Sequence, residues 1–477
     1  MFLAPEIAVV STGLIILLIG VFMSPRTKNV LGYLATLGVL AALVLTVESF
    51  GTNAALFSGT ISIDVLSQFF KLVFLAVALI VSLAAIKYNE NSDHTEEFYT
   101  LVLFATFGMM VVASANDLIL LFCAFELASL ATYALAGFEK QNARSFEGAM
   151  KYFIIGSVSA ALMLFGISFV YGATGTTSIP AIAANPAILT GNPIGLVAIV
   201  LLIAGFCFKM ALVPFHMWAP DTYQGSPSVV SALLAAGSKK MGFVAAFRVF
   251  ILALAALQPD WQLAFMILAV VTMTFGNVVA VSQTSVKRML TYSSLAQAGY
   301  IAMALVVMTP MALTGSIFYT LAHAFMKAGA FIAAAAVVWM VSSGKTDRLD
   351  IPDHLDNFKG LGKRMPFAAL SMTIFVFALA GIPPTAGFMA KFVLFSSTIQ
   401  AGMTWLAVVA ILNSALSLFY YARLVKYMYF LPPEGQKIRM PFPYAAALLF
   451  AVAGVLAMGL WPELFLQWAM EAAKVLV

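Results

Sequence analysis

Residues 194–218 read IGLVAIVLLIAGFCFKMALVPFHMW. From Ile194 to Phe208 there is no charge and no polar face, whereas a helix on the surface of a soluble core alternates apolar and polar sides. About twenty such residues match the hydrocarbon thickness of a bilayer. Lys209 follows inside the same run, and Pro214 comes five residues later. A proline there removes a helical donor and frees a carbonyl, so the helix must break. The stretch therefore reads as a membrane-spanning helix with a lysine beside an internal break. Residues 381–392, GIPPTAGFMAKF, repeat the pattern: Gly381-Ile382-Pro383-Pro384 interrupt a second apolar run, and Lys391 follows.

The rest of the chain extends that reading. Of 477 residues, 62% are apolar and 9% charged, far below the quarter or so usual in soluble domains. A soluble core could not hide that much apolar surface. The apolar runs fall at 5–23, 30–48, 66–86, 98–115, 117–137, 147–171, 194–216, 228–251, 261–282, 290–308, 311–342, 366–399, 403–430 and 443–469. These predict an all-α integral membrane protein of about fourteen transmembrane helices, forming a single polytopic domain over residues 1–477. Residues 1–23 lack a basic leader and are expected to stay as the first span. Cys123 and Cys207 both sit within apolar runs without CxxC spacing, which points to packing rather than to a metal site or disulfide. No basic tract interleaved with aromatics is present, so nucleic acid is a poor candidate partner, and lipid is the expected surroundings.

Basic residues gather in alternate loops: Arg26 and Lys28; Lys87; Lys140 and Arg144; Lys287 and Arg288; Lys345 to Arg364; Lys437 and Arg439. The loop from Gly172 to Pro193 has none. By the positive-inside bias the basic loops are cytoplasmic and both termini face outward. One loop is cytoplasmic by parity yet carries no basic residue, that around Pro220-Asp221.

Charges inside the spans are the functional signal, because an ionisable group at bilayer depth needs a partner or a water-lined path. Glu126 is the one mid-span carboxylate; the cations are Lys71, Lys209, Lys239, Lys240, Lys327 and Lys391. Lys71 is near a span end and is expected to snorkel outward; Arg248, nearer the outer end of its helix, could do the same and is set aside as a path residue. For any one lysine a structural ion pair competes with a functional role. For the set, a proton or cation path is the stronger reading. Burial disfavours an ammonium and a nearby carboxylate favours it, so a lysine whose partner moves can load and release protons. Arginine would keep its charge throughout. His323, four residues before Lys327 and on the same helical face, suits a shuttle or a hydrogen-bonded packing role. Of the adjacent Lys239 and Lys240, about 100° apart around a helix, one can point directly into a given path.

Broken helices beside buried lysines mark transport sites in inverted-repeat folds. The breaks at Pro214 and at Pro383-Pro384 fall in the seventh and twelfth spans, five apart. That spacing predicts two inverted five-helix repeats, over about 98–251 and about 261–430, each with one broken helix.

The runs FKMALVPFHMWAPDTYQGSPSVVSALLAAGSKKMGF, GIPPTAGFMAKFVLF and FELASLATYAL resemble the antiporter-like subunits of respiratory complex I, over nearly the whole chain. Within that family the APDTYQGSP and GIPPTAGFMAKF segments are most similar to the subunit N branch of bacterial NADH–quinone oxidoreductases. The resemblance implies proton translocation in a bacterial cytoplasmic (inner) membrane, coupled to quinone reduction elsewhere. It implies that Glu126 and Lys209 form a coupled pair, that Lys239 relays protons along the axis, and that Lys391 leads to the far half-channel. Lys240, His323 and Lys327 form a secondary path. Lys239 is chosen over Lys240 on motif register. The implied partners are the other membrane-arm subunits, namely a neighbouring antiporter-like subunit and small membrane subunits. No cofactor is expected in this chain; NADH, FMN, iron–sulfur clusters and quinone would belong to other subunits. A subunit of a multi-subunit cation/proton antiporter or of a membrane-bound hydrogenase is the nearest competing reading. A stand-alone organic-solute transporter would need more polar side chains at its breaks.

Overall fold

The computed structural model describes residues 2–24, 27–90, 92–343, 352–433 and 436–477. It is almost wholly helical. The elements run α1 Ala4–Phe22, α2 Asn29–Glu48, a hairpin β1 Ala54–Leu56 and β2 Ile61–Ile63, α3 Val65–Tyr88, α4 Thr95–Ser114, α5 Leu118–Ala136 and α6 Ala143–Thr174. Then come α7 Ile179–Ala184, α8 Pro193–Met210, α9 Trp218–Gly225, α10 Ser228–Leu233, α11 Lys239–Ala246, α12 Gln258–Ser282, α13 Val286–Val307 and α14 Pro310–Ser343. The chain closes with α15 Leu361–Arg364, α16 Pro366–Ala380, α17 Ala386–Gln400, α18 Thr404–Phe430, α19 Phe442–Leu460 and α20 Pro462–Lys474.

Thirteen stretches among the described residues are long and apolar enough to cross a membrane as continuous helices. The broken pair α16 and α17 supplies the fourteenth. The last span is shorter than the apolar run at 443–469 implies. It stops at Leu460, Trp461 leaves helical geometry, and Pro462 starts α20. The three-residue hairpin is the other departure; its turn runs through Phe57, Ser58 and Gly59, all at positive φ.

Two clusters of loops define the faces. At one, Asn116 N donates to Thr60 O (2.8 Å) and Leu118 N to Thr177 O (2.9 Å), joining the hairpin and the loops at either end of the α5–α6 pair. At the other, Val286 N donates to Asp353 O (2.9 Å) and Leu355 N to Thr284 O (2.8 Å). The second is the basic face, although Lys345 and Arg348 lie outside the described residues. The Pro220-Asp221 segment belongs there too, as part of the short helix α9 rather than the loop expected from the sequence, and its missing basic residues are supplied by neighbours. Asp221 is held by Lys151 (2.6 Å) and Arg288 (2.7 Å). Partial burial works to raise its pKa, but the hydrogen bonds from those two cations outweigh it and hold the carboxyl below its ordinary value.

Burial sorts the helices. α1, α2 and α6 have two-thirds of their span facing outward, whereas residues 228–253 are wholly enclosed and α3, α13 and α14 nearly so. Lys239, Lys240, His323 and Lys327 ride on these innermost helices. The 228–253 span is also irregular. Residues Leu234–Ser238, just before the two lysines, and Phe247–Ala253, after them, are π-helical. Each π turn rotates the downstream residues relative to an ideal helix, and such bulges are frequent at functional sites.

Candidate functional site

α8 ends at Met210, one residue beyond Lys209, and Ala211 takes a left-handed conformation at φ 55°. The groups loosened by the break find partners. Val213 N donates to Thr272 Oγ1 (2.9 Å), and the Trp218 indole donates to Phe208 O (3.0 Å). Lys209 is fully buried and turns its ammonium to two hydroxyls, Ser129 Oγ (2.9 Å) on α5 and Tyr152 OH (2.8 Å) on α6. The rings of Phe125, Tyr133 and Tyr152 lie 5.1–5.7 Å from its Nζ. Glu126 sits one turn before Ser129 and is half-buried, beside the exposed Cys123, Leu127 and Leu130. The lysine's charge acts on Glu126 electrostatically, yet no ion pair within 4 Å joins them. The two thus lie within electrostatic reach of each other, while the lysine's direct contacts are with hydroxyls.

The second break has a matching solution. α16 ends at Ala380, Gly381 follows at φ 91°, and a side chain there would press on Lys391 Cδ at 3.0 Å. The left-handed conformation is what calls for glycine there. α17 returns so closely that Gly387 meets the carbonyl of Ala378. Lys391 reaches back from α17 to the end of α16, donating to Leu379 O (2.7 Å), Ala380 O (3.0 Å) and Ser414 Oγ (2.8 Å). An ammonium at the carbonyl end of a helix also complements the helix dipole. The ring of Tyr300 lies 5.4 Å from its Nζ. A cavity of about 460 Å³ borders this site, lined by Gly381, Lys391, Ser396 and Ser414 among apolar side chains.

Between the two breaks lie three more buried lysines. Lys239 donates to Ser294 Oγ (3.1 Å) and Lys327 to Ser293 Oγ (2.7 Å) and Leu290 O (2.9 Å). Lys240 contacts His323 Nδ1 and donates to Ala235 O (3.0 Å). The adjacent lysines thus part ways, Lys239 towards α13 and Lys240 towards α14. Lys239, Lys240, Lys327 and His323 are within electrostatic reach of one another. On the basic face a cavity of about 740 Å³ is lined by Lys87, Glu139, Arg144, Ser228, Lys287 and Asp353.

Two expectations of outward snorkelling are overturned. Lys71 is buried and pairs with Glu6 of α1 at 2.6 Å. Arg248 is 1% exposed; its Nη2 meets both oxygens of Asp64 at 2.9 and 2.8 Å, and its Nε donates to Ala113 O (2.7 Å). Both cations lie near span ends, as their positions indicate, but a carboxylate on a neighbouring element reaches each of them there, so they stay inside. Depth along one helix says nothing about that.

A division results. Most of the paired cations towards the ends of the spans hold carboxylates: Lys28 to Glu96 (2.5 Å), Lys71 to Glu6, Lys151 and Arg288 to Asp221, Arg248 to Asp64; Lys287 instead donates to Gln224 O (2.9 Å) and Ser226 O (2.6 Å). Lys209, Lys239, Lys240, Lys327 and Lys391 have no carboxylate within 4 Å among the described residues, and four of the five rest on a serine or tyrosine hydroxyl. A search for charge misses the hydroxyls, and it misses Gln297, whose amide donates to Leu379 O (3.1 Å).

Fourteen spans, two of them broken next to a buried lysine, define an antiporter-like membrane subunit. Residues 115–417 match the family described as NADH:quinone oxidoreductase/Mrp antiporter, TM. The chain belongs to that family, with a membrane subunit of the complex I type as its place within it. It is 82% identical to F(420)H(2) dehydrogenase subunit N of Methanosarcina mazei, over 100% of this chain and 99% of that one. It is 40% identical to NADH-quinone oxidoreductase subunit N of Trichlorobacter lovleyi, over 99% and 96%. A chain of respiratory complex I from Thermus thermophilus superposes with a TM-score of 0.81 at 32% identity, covering 97% of this chain and 98% of that one.

Proposed function

We propose that this subunit carries protons across the membrane through its buried lysines, driven by electron transfer in other subunits of its complex. The observation that supports it most is the division between carboxylate-held and hydroxyl-held cations. A lysine locked to a carboxylate keeps its charge, but a hydroxyl accepts from an ammonium and donates to an amine with equal ease. The four hydroxyl-held lysines, Lys209, Lys239, Lys327 and Lys391, are thus the ones that can change protonation while keeping a partner in either state.

The path runs from the cavity at Lys287 and Ser228 to Lys239, across Lys240, His323 and Lys327, and on to Lys391 and its bordering cavity. Glu126 and Lys209 stand at the other end as the electrostatic control. In this geometry Lys209 is withdrawn onto Ser129 and Tyr152; an approach to Glu126 would stabilise its charge and so change what the next lysine feels. The two breaks supply equivalent sites in two inverted repeats, at about 98–251 and about 261–430. The basic face is the cytoplasmic one, which puts both termini outside.

Redox groups would sit in partner subunits. The name of the 82%-identical relative favours reduced F420 as electron donor over NADH, and its archaeal source widens the expected location from a bacterial to any prokaryotic cytoplasmic membrane. Deleting the gene tests the reading. Donor oxidation by an artificial acceptor should survive in membranes, while donor-driven proton uptake into inverted vesicles should fall. Normal uptake per electron without this chain contradicts the proposal. Activity with F420H2 but not NADH is the expected donor result.

A further inference from the structure

We propose that Gln297, an uncharged residue in the middle of α13, positions Lys391 for its proton transfers. The last carbonyls of α16 have no donor within their own helix, because the break follows. Lys391 serves both, and each has a second donor that carries no charge. Ser414 Oγ donates to Ala380 O (3.1 Å), and Gln297 Nε2 donates to Leu379 O. The phenol of Tyr319 donates to Gln297 Oε1 and so fixes which way the amide points. Gln297 and Tyr319 are both fully buried.

This arrangement matters when the proton leaves. An ammonium has three donors, and here all three are used, on Leu379 O, Ala380 O and Ser414 Oγ. A neutral amine has two donors and a lone pair. The Ser414 hydroxyl can turn to donate into that lone pair, which releases Ala380 O to the amine, and Gln297 keeps Leu379 O satisfied throughout. Without the amide, the Leu379 carbonyl depends on the lysine alone, so the side chain cannot move off it to pass its proton without leaving a buried acceptor unpaired. Gln297 also lies between Lys391 and the inner cluster, since Tyr319 is one turn from His323, which touches Lys240. The titratable groups around this pair are Tyr300 from α13, beside the Lys391 ammonium, His323 from α14, within electrostatic reach of it, and Tyr319 from α14 and Tyr421 from α18, which meet Gln297; α16 and α18 otherwise present Leu379, Ala380 and Ser414, without charge.

The inference rests on Lys391 carrying protons. The test is donor-driven pumping in inverted vesicles, normalised to assembled complex on a native gel, for Gln297→Met, Gln297→Glu, Tyr319→Phe and Lys391→Ala. Gln297→Met keeps volume without hydrogen bonds and should pump several-fold less per assembled complex. In Gln297→Glu a protonated acid replaces the amide donor, whereas an ionised one cannot donate and pairs with the ammonium. That variant should pump close to wild type at acid pH and lose activity as pH rises, a profile that a merely structural residue would not produce. Tyr319→Phe should show a milder loss and covers the case in which the Met variant fails to assemble. Wild-type pumping by Gln297→Met, with Lys391→Ala defective, overturns the role of Gln297 and leaves the proton path standing. Wild-type pumping by both overturns the path as well. A Gln297→Glu profile parallel to wild type also overturns the proposal.

Discussion

Lys209 and Ser129, eighty residues apart in the chain, are joined by a 2.9 Å hydrogen bond in the middle of the first broken site. Ser129 is one helical turn from Glu126, so the same helix offers the lysine a neutral partner and a charged one. Tyr152 holds the ammonium from the far side and stacks on Trp218 with ring centroids 4.2 Å apart. The hydroxyl pair keeps lysine and carboxylate separate.

Removing those hydroxyls should therefore disturb pumping more than folding. Ser129→Ala and Tyr152→Phe each leave one ammonium donor unpaired in a buried site, a cost of about 1–3 kcal/mol. The lysine can recover it by turning to Glu126. The expected outcome is assembled complex at near-normal levels with proton uptake per electron reduced about tenfold in the double variant. Unchanged uptake in the double variant would show that the hydroxyls only fill space.

The Arg248–Asp64 pair makes the opposite forecast. Asp64→Asn leaves a guanidinium buried at 1% exposure, and breaking such a pair costs about 3–5 kcal/mol. Assembled complex should drop sharply on native gels, and the fraction that assembles should pump normally. The paired replacement Asp64→Asn with Arg248→Met should recover part of the loss. A normally assembled Asp64→Asn complex with impaired pumping would move this pair into the proton path.

Membrane sidedness is open to labelling. Ala187 is exposed on the hairpin face, and Gln436 is exposed in the loop before α19 on the basic face. With Cys123 and Cys207 replaced by Ala, an impermeant thiol reagent on intact cells should modify Ala187→Cys and spare Gln436→Cys. The reverse pattern inverts the assigned orientation, and labelling of both breaks the fourteen-span count.

Much of the architecture is legible in the sequence alone, and the physical reason is length scale. The spans, the two breaks and the buried lysines are properties of twenty-residue windows, where hydropathy and proline act locally. Partners are not. Ser129, Ser293, Ser294 and Ser414 look like ordinary membrane serines, which bond their own helix at the preceding turn; what selects them is a lysine from another helix. Depth along one helix puts Lys71 and Arg248 within reach of the surface, while Glu6 and Asp64 come from elsewhere to meet them. Helical angle cannot separate Lys239 from Lys240, because the π turn at Leu234–Ser238 shifts the register just before them. Their separate partners, Ser294 and His323, appear only in the packed structure.

The most direct test of a titrating lysine is to compare Lys209→Arg with Lys209→Ala. Arginine keeps the charge and does not give up its proton, whereas alanine removes the titratable group and leaves Glu126 without its cation. Donor-driven proton uptake in inverted vesicles, divided by assembled complex on a native gel, is the measurement. If Lys209 must lose its proton in each cycle, Lys209→Arg pumps nearly as badly as Lys209→Ala in a normally assembled complex. Near wild-type uptake by Lys209→Arg, with Lys209→Ala failing chiefly in assembly, would contradict the account and make Lys209 a fixed counter-charge.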